Sequence, residues 1–338
     1  MSFLQVTWSI LIAVLLAVYL LLDGFDLGVG VRYLFEKRSE DRRTLLNAIG
    51  PVWDGNEVWL LTGGGAVFAA FPMVYASIFS ALYLPLLLVL VAMIFRAVSV
   101  EFRHQSPEPG WTRFWDIAFA VGSTLPALLL GVAMGNVLRG LPLDPKGNYT
   151  GTFLGLLNPY SLLIGIVGLA MLTTHGGIYL TLKTKGDLSA RSQKWAALVS
   201  PIYLAGVIVA AIVTGLTQKH LLANYSGLPV LWAIPLLALV AIVLCCVCIR
   251  AGKAAGAFIC SSAAILAIIA SIGAAMFPNL IIASNDAAAS LTVANASSSE
   301  YTLKIMLIMT CLGLPVVLAY TAWAYKTFGY KVDENEAY

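Results

Sequence analysis

Four acidic residues stand where an apolar chain has least reason to keep them. Asp23 and Asp26 lie three apart at the end of the first long apolar run, and Asp54 and Glu57 lie three apart at the start of the second. A spacing of three puts each pair on one helix face. With a rise of about 1.5 Å per residue, Asp26 and Asp54 fall at similar depths, roughly 6–9 Å from the ends of their helices. Four carboxyls can therefore converge on one helical hairpin. With no base expected beside them inside the apolar region, repulsion and removal from water favour holding protons near neutral pH, so the chemistry on offer is proton transfer.

Plainer readings stand beside that one. The unbroken apolar run closes at Leu22, so Asp23 can simply mark the end of a span. Asp54 follows Pro51 in the first turn of its helix, where the dipole and free N–H groups favour a carboxylate. Arg32 or Arg42 can reach Asp26 as a structural ion pair. Gly24, Gly28 and Gly30 surround the first pair, and Gly55, Gly63, Gly64 and Gly65 the second; small faces of this kind let membrane helices approach closely. Gly131 and Gly135 form another such pair. Asn136, Asp116 and Trp115 fall near span ends, where an interfacial role is expected.

The elements that must position these residues follow from composition. Of 338 residues, 60% are hydrophobic and 11% charged, against roughly 45–50% and 25% in ordinary globular proteins. Mean hydropathy is +0.88. A soluble fold with so few charges could not cover its surface. The net charge of +3 is too small and too dispersed for nucleic acid. Met1 to Leu22 holds no Lys or Arg and reads as the first span, not a cleavable signal.

A span needs about 20 mostly apolar residues, and nine segments qualify: about Thr7 to Val31, Val52 to Met73, Tyr75 to Phe95, Phe114 to Val137, Tyr160 to Leu182, Trp195 to Thr217, Val230 to Ile249, Ala254 to Phe277 and Thr302 to Tyr325. Pro85, Pro126, Pro201, Pro235 and Pro315 lie inside apolar runs as expected kinks. Arg139, Lys146, Lys219 and Lys304 then fall on the side of the N-terminus, and the other sixteen of the twenty bases on the opposite side, leaving none for the membrane interior. The excess of bases marks the cytoplasmic side, so the N-terminus is expected outside and the C-terminus inside. The expected fold is an all-α integral membrane protein in one membrane domain (1–338): a first four-helix bundle (1–140), a second (155–280) and a peripheral ninth helix (300–326). Pro278 to Tyr301 is the longest aqueous segment.

Histidine limits what the chain can do alone. A transmembrane haem needs axial ligands inside spans, yet His104 and His220 fall in loops and only His175 lies within one, with Met171 a turn away. Cys245, Cys246, Cys248, Cys260 and Cys311 all fall in apolar stretches without a C-x-x-C pair, as packing thiols do. No zinc, nucleotide or Ser-His-Asp pattern is present, so no metal ligand and no catalytic residue is assigned. D-G-F-D-L-G-V-G follows a helix and not a strand, which excludes a dinucleotide loop.

Longer strings carry a resemblance. D-G-F-D-L-G-V-G (Asp23 to Gly30), G-P-V-W-D-G-N-E-V-W-L-L (Gly50 to Leu61), G-G-A-V-F-A-A-F-P-M-V-Y-A (Gly64 to Ala76) and F-R-A-V (Phe95 to Val98) resemble subunit II of cytochrome bd-type quinol oxidases. G-V-A-M-G-N (Gly131 to Asn136), L-L-N-P-Y (Leu156 to Tyr160), L-W-A-I-P (Leu231 to Pro235), A-M-F-P (Ala275 to Pro278) and Y-T-A-W (Tyr320 to Trp323) extend it in order over nearly the whole chain.

The resemblance implies one subunit of a bacterial inner-membrane terminal oxidase of the respiratory chain, an electrogenic oxidoreductase that oxidises quinol, reduces dioxygen to water and takes protons from the cytoplasm. This chain alone would not be catalytic. Two b-type haems and haem d would belong to the complex and sit on subunit I, its structural partner. Asp54 would lie on a cytoplasmic proton route at the subunit interface, with Trp53 and Asn56 as neighbours and Asp23 and Asp26 as the acids of D-G-F-D. At Glu57 the family also has Gln. Some members hold a quinone or lipid in this subunit, which no residue here locates, and a small accessory subunit stays open. Two rival readings remain: a proton-coupled secondary transporter, against which the acids' distance from the midplane argues, and a purely structural membrane partner.

Overall fold

A computed structural model of the chain describes residues 1–332. Twelve α-helices run in the order α1 (Phe3–Tyr33), α2 (Ser39–Ile49), α3 (Trp53–Ala70), α4 (Pro72–Ala81), α5 (Tyr83–Phe102), α6 (Pro109–Arg139), α7 (Pro159–Lys183), α8 (Gly186–Thr217), α9 (Ala223–Gly227), α10 (Ala233–Arg250), α11 (Ala254–Met276) and α12 (Glu300–Thr327). Among the described residues eight helices are long and apolar enough to cross a membrane: α1, α5, α6, α7, α8, α10 with the turn before it, α11 and α12. The expected second span, α3, spends Asp54, Asn56 and Glu57 in its first two turns and falls outside that set. The expected third span is divided: Leu82 leaves helical geometry between α4 and α5.

Local sequence explains the helix starts. Ser2 and Gln5 form a capping box on α1, satisfying two free N–H groups reciprocally. Asn158 caps α7 with Pro159 in the first helical position, and Ser299 caps α12. Pro126, Pro201 and Pro315 lie inside helices, as expected. Pro85 and Pro235 instead sit in the first turns of α5 and α10, where no backbone bond is lost, so they are not kinks.

Helix α1 is the hub, packing on α3, α6, α7, α11 and α12. Glycine makes the closest crossing: a Cβ on Gly28 would stand 2.0 Å from the Leu172 carbonyl oxygen, and one on Gly176 would stand 2.5 Å from the backbone of Gly28. A Cβ on Gly131 or Gly135 would stand 2.8 Å from Gly165 or 2.6 Å from Ser161 of α7, also too close for a side chain. A Cβ on Gly55, Gly64 or Gly65 would meet nothing within 4 Å among the described residues outside its own helix backbone, so packing between the described helices does not explain them.

The two ends of the bundle differ. At one end Trp8, Phe71, Leu141, Ile281 and Leu303 form a core under the loops. There the expected aqueous segment folds back as an antiparallel pair, β1 (Asn279–Ile281) with β2 (Leu291–Thr292), bridged to Leu141 through Ala283. The opposite end carries α2, an 11-residue helix too short to cross a membrane. Leu45, Leu46, Ala48 and Ile49 bury its apolar face against Phe25, Tyr33 and Tyr179. Arg191 clasps α2 to α1 and α8 through Glu36 (2.6 Å), Asp41 (2.8 Å) and Asp187 (2.8 Å), and Arg32 joins at Glu36 (2.8 Å).

Candidate proton-carrying site

The acids of the first hairpin meet in the half of the bundle nearest α2. Asp23 and Asp26 are buried on α1, Asn56 is buried and Glu57 half-buried on α3, while Asp54 faces outward. The side chains of Asp23, Asp26 and Glu57 are thus brought together, and Asp54 stands at the rim beside Glu57.

A base stands among them, contrary to the expectation that none remained for the interior. Arg96 is completely buried and donates from Nη2 to Asp23 Oδ1 (2.8 Å) and from Nη1 to Glu57 Oε1 (2.7 Å). Sequence reasoning placed it in a loop because the apolar run closes at Phe95, but α5 continues to Phe102 and carries Arg96 into the bundle. Gly122 of α6 makes room: a Cβ there would stand 2.9 Å from the Arg96 nitrogen. The face of Trp53 lies 6.0 Å from the guanidinium carbon, a cation–π contact.

Arg32 and Arg42 do not reach Asp26. Arg32 is taken by Glu36, and Arg42 by Asp116 (2.6 Å). Asp116, expected at the interface, is buried and also accepts from Arg103 Nε (2.6 Å) and from the Tyr33 hydroxyl. Asn136 is likewise buried and donates to the Leu156 carbonyl oxygen (2.9 Å), which ties α6 to the following loop.

Asp26 takes a different partner. Its Oδ2 accepts from Asn56 Nδ2 (2.7 Å), and Asn56 Oδ1 accepts from the Tyr325 hydroxyl of α12 (2.8 Å). Asp26 Oδ1 and Asp23 Oδ2 are buried without a hydrogen-bond partner among the described residues. An aromatic wall encloses the site, with Phe25 stacked on Tyr179 (centroids 4.0 Å apart) and edge-on to Tyr325. One guanidinium therefore faces three carboxyls. With all three ionised, two negative charges would be left without a buried base to offset them, an arrangement that costs free energy where water is largely excluded.

Residues 4–328 match the family described as cytochrome bd terminal oxidase subunit II. The chain belongs to that family. It is 40% identical to cytochrome bd-I ubiquinol oxidase subunit 2 of Escherichia coli (strain K12), covering 98% of this chain and 96% of the relative. It is 37% identical to cytochrome bd ubiquinol oxidase subunit 2 of Bacillus subtilis (strain 168), covering 99% of each. The solved structure of bd oxidase from Geobacillus thermodenitrificans shares the fold, with a TM-score of 0.79 over 97% of this chain and 99% of that one at 16% identity. Family membership and eight apolar helices make this a multi-pass protein of the bacterial inner membrane.

Two of this chain's three histidines already have ring nitrogens engaged. His175 is buried with both ring nitrogens engaged, Nδ1 with Ser261 Oγ (2.7 Å) and Nε2 with the Leu21 carbonyl oxygen (3.1 Å), and Phe258 stacks on the ring. His220 Nε2 is taken by the Leu138 carbonyl oxygen. His104 lies past the end of α5, where partial burial and the guanidiniums of Arg103 and Arg43 hold its imidazole below the usual range. All five cysteines are free thiols, Cys245 and Cys246 buried and Cys311 exposed.

Proposed function

We propose that this chain is the haem-poor subunit II of a terminal oxidase whose complex oxidises quinol and reduces dioxygen, and that its acid cluster passes protons from the cytoplasmic side toward a haem-bearing subunit I. The observation that carries this reading is the charge imbalance around Arg96. Asp54 at the surface, partly exposed Glu57 about one helical turn on, and buried Asp23 and Asp26 form a graded series from rim to interior. The α2 end, where Lys37, Arg38, Arg42, Arg43, Lys185 and Arg191 gather, is assigned to the cytoplasm by its basic excess. Asp54 on the outward face of α3 is placed to hand protons to, or receive them from, a second chain.

The engaged nitrogens of His175 support placing the two b haems and haem d on subunit I. This chain would then contribute assembly surface and proton conduction. The buried Asp23–Arg96–Glu57 ion pairs give a specific reason to keep the structural reading as the rival, since such pairs also fix packing.

Asp54→Asn separates the two. In the purified two-subunit complex we expect slower quinol-dependent oxygen uptake with haem content and subunit ratio unchanged. Unchanged turnover would leave Asp54 as a first-turn carboxylate favoured by the helix dipole; Val52 is the cap residue of α3 and no side chain caps it. A haem-free preparation that exchanges solute by itself would favour a transporter instead.

A further inference from the structure

We infer that Tyr325, delivered by the last helix, is a positioning residue that orients Asn56 and so confines proton exchange on Asp26 to its free oxygen, Oδ1. The inference rests on the proton-carrying reading of the cluster and deepens it.

The argument begins with the inventory of donors and acceptors. An asparagine side chain has one accepting oxygen and one donating nitrogen. Asn56 is buried between α1 and α12, and both of its ends are used: Nδ2 toward Asp26 Oδ2 at 2.7 Å, Oδ1 toward the Tyr325 hydroxyl at 2.8 Å. Turning the amide over would set its oxygen against a carboxylate oxygen, two acceptors face to face. The phenol hydroxyl, by donating to Oδ1, holds the amide the other way.

The consequence falls on Asp26. With Nδ2–H always presented to Oδ2, that oxygen serves as the carbonyl-like acceptor in either protonation state. Oδ1 has no hydrogen-bond partner among the described residues, and it is the atom left to gain or lose the proton. The amide itself does not relay protons here. Both of its hydrogens stay on nitrogen, and it acts only by orientation.

Other groups face the same site and must be kept apart in any test. From α1 these are Asp23 and Tyr19, from α3 Asp54 and Glu57, from α5 Arg96, and from α7 Tyr179 and His175. None of them touches Asn56 by a hydrogen bond among the described residues, whereas Tyr325 does. Tyr325 also lies at the far end of the chain from Asp26, so α12 reports to the site through one hydroxyl.

The test is the infrared difference spectrum between oxidised and reduced forms of the intact complex, read in the C=O stretching region of protonated carboxyls. The band lost in Asp26→Asn belongs to Asp26. In Tyr325→Phe, which keeps the ring packed against Phe25, that band should persist but move to higher frequency, because its C=O loses a held N–H donor. Asn56→Ala should move it the same way, and Tyr325→Phe combined with Asn56→Ala should add nothing further, since both act through one contact. Haem content and subunit ratio check assembly in each variant. A band unmoved by Tyr325→Phe, or additive shifts in the double variant, would overturn the role of Tyr325 while leaving Asp26 a proton carrier. No band lost in Asp26→Asn would overturn both.

Discussion

At the residue scale the decisive side chain is Arg96. A buried cation with two carboxylate partners is strongly coupled to both, and removing it alone leaves acids uncompensated away from water. Breaking a buried pair in this way costs roughly 3–5 kcal/mol, whereas replacing all partners by apolar residues of similar size is often neutral. Arg96→Met should therefore lower the thermal unfolding temperature of the complex markedly. Combining it with Asp23→Leu and Glu57→Leu should recover most of that loss and still leave oxygen uptake impaired. Recovery of turnover together with stability would mark the cluster as structural. The acids were legible in the sequence because two i, i+3 pairs interrupted apolar runs. Arg96 was not, since a base following Phe95 looks like a cytoplasmic flank until α5 is seen to run on to Phe102. Asp116 was misplaced for the same reason: its charge partners, Arg42 and Arg103, come from elements whose approach no spacing rule reveals.

At the element scale, glycine sets how closely α1 can cross α7. A Cβ on Gly28 would overlap a carbonyl oxygen of Leu172 at 2.0 Å, and backbone cannot swing aside as a side chain can. Forced separation of well-packed helices costs about 1–3 kcal/mol or more. The same substitution at Gly273 of α11 meets nothing within 4 Å and gains helix propensity. Gly28→Ala should thus lower the unfolding temperature of the purified complex, and Gly273→Ala should leave it level or slightly raised. Equal effects would show that the crossing is not what Gly28 provides. The glycine density around both acidic pairs was visible in the sequence, but only the fold separates Gly24, Gly28, Gly30 and Gly63, which meet neighbours, from Gly55, Gly64 and Gly65, which meet none among the described residues. Helix α2 was missed although Leu45, Leu46, Ala48 and Ile49 follow helical spacing. At 11 residues it is too short to register as a span, and its first turns are charged.

At the scale of the whole molecule, the two ends of the bundle differ in charge, and that asymmetry predicts how the chain sits. The start of α1 and the start of α12 are joined at one end, where the Trp8 indole donates to the Leu303 carbonyl oxygen (2.9 Å). Val332 pairs with Lys183 at the other, so the described termini lie at opposite ends. Four bases accompany the first end and fifteen the second, with Arg96 buried in the bundle on the second end's side. Such an excess is retained on the cytoplasmic side during insertion, and the acid cluster lies in that half. Single cysteines introduced at Lys146 and Lys253 test this directly, because both positions are exposed and lie at opposite ends. A membrane-impermeant maleimide should label Lys146→Cys in intact cells and Lys253→Cys only in inverted vesicles. The native thiols lie within apolar helices, Cys311 on the flank of α12, and give the background to subtract. The reverse pattern would put Asp54 and Glu57 toward the outside, and a proton drawn through them would then not come from the cytoplasm.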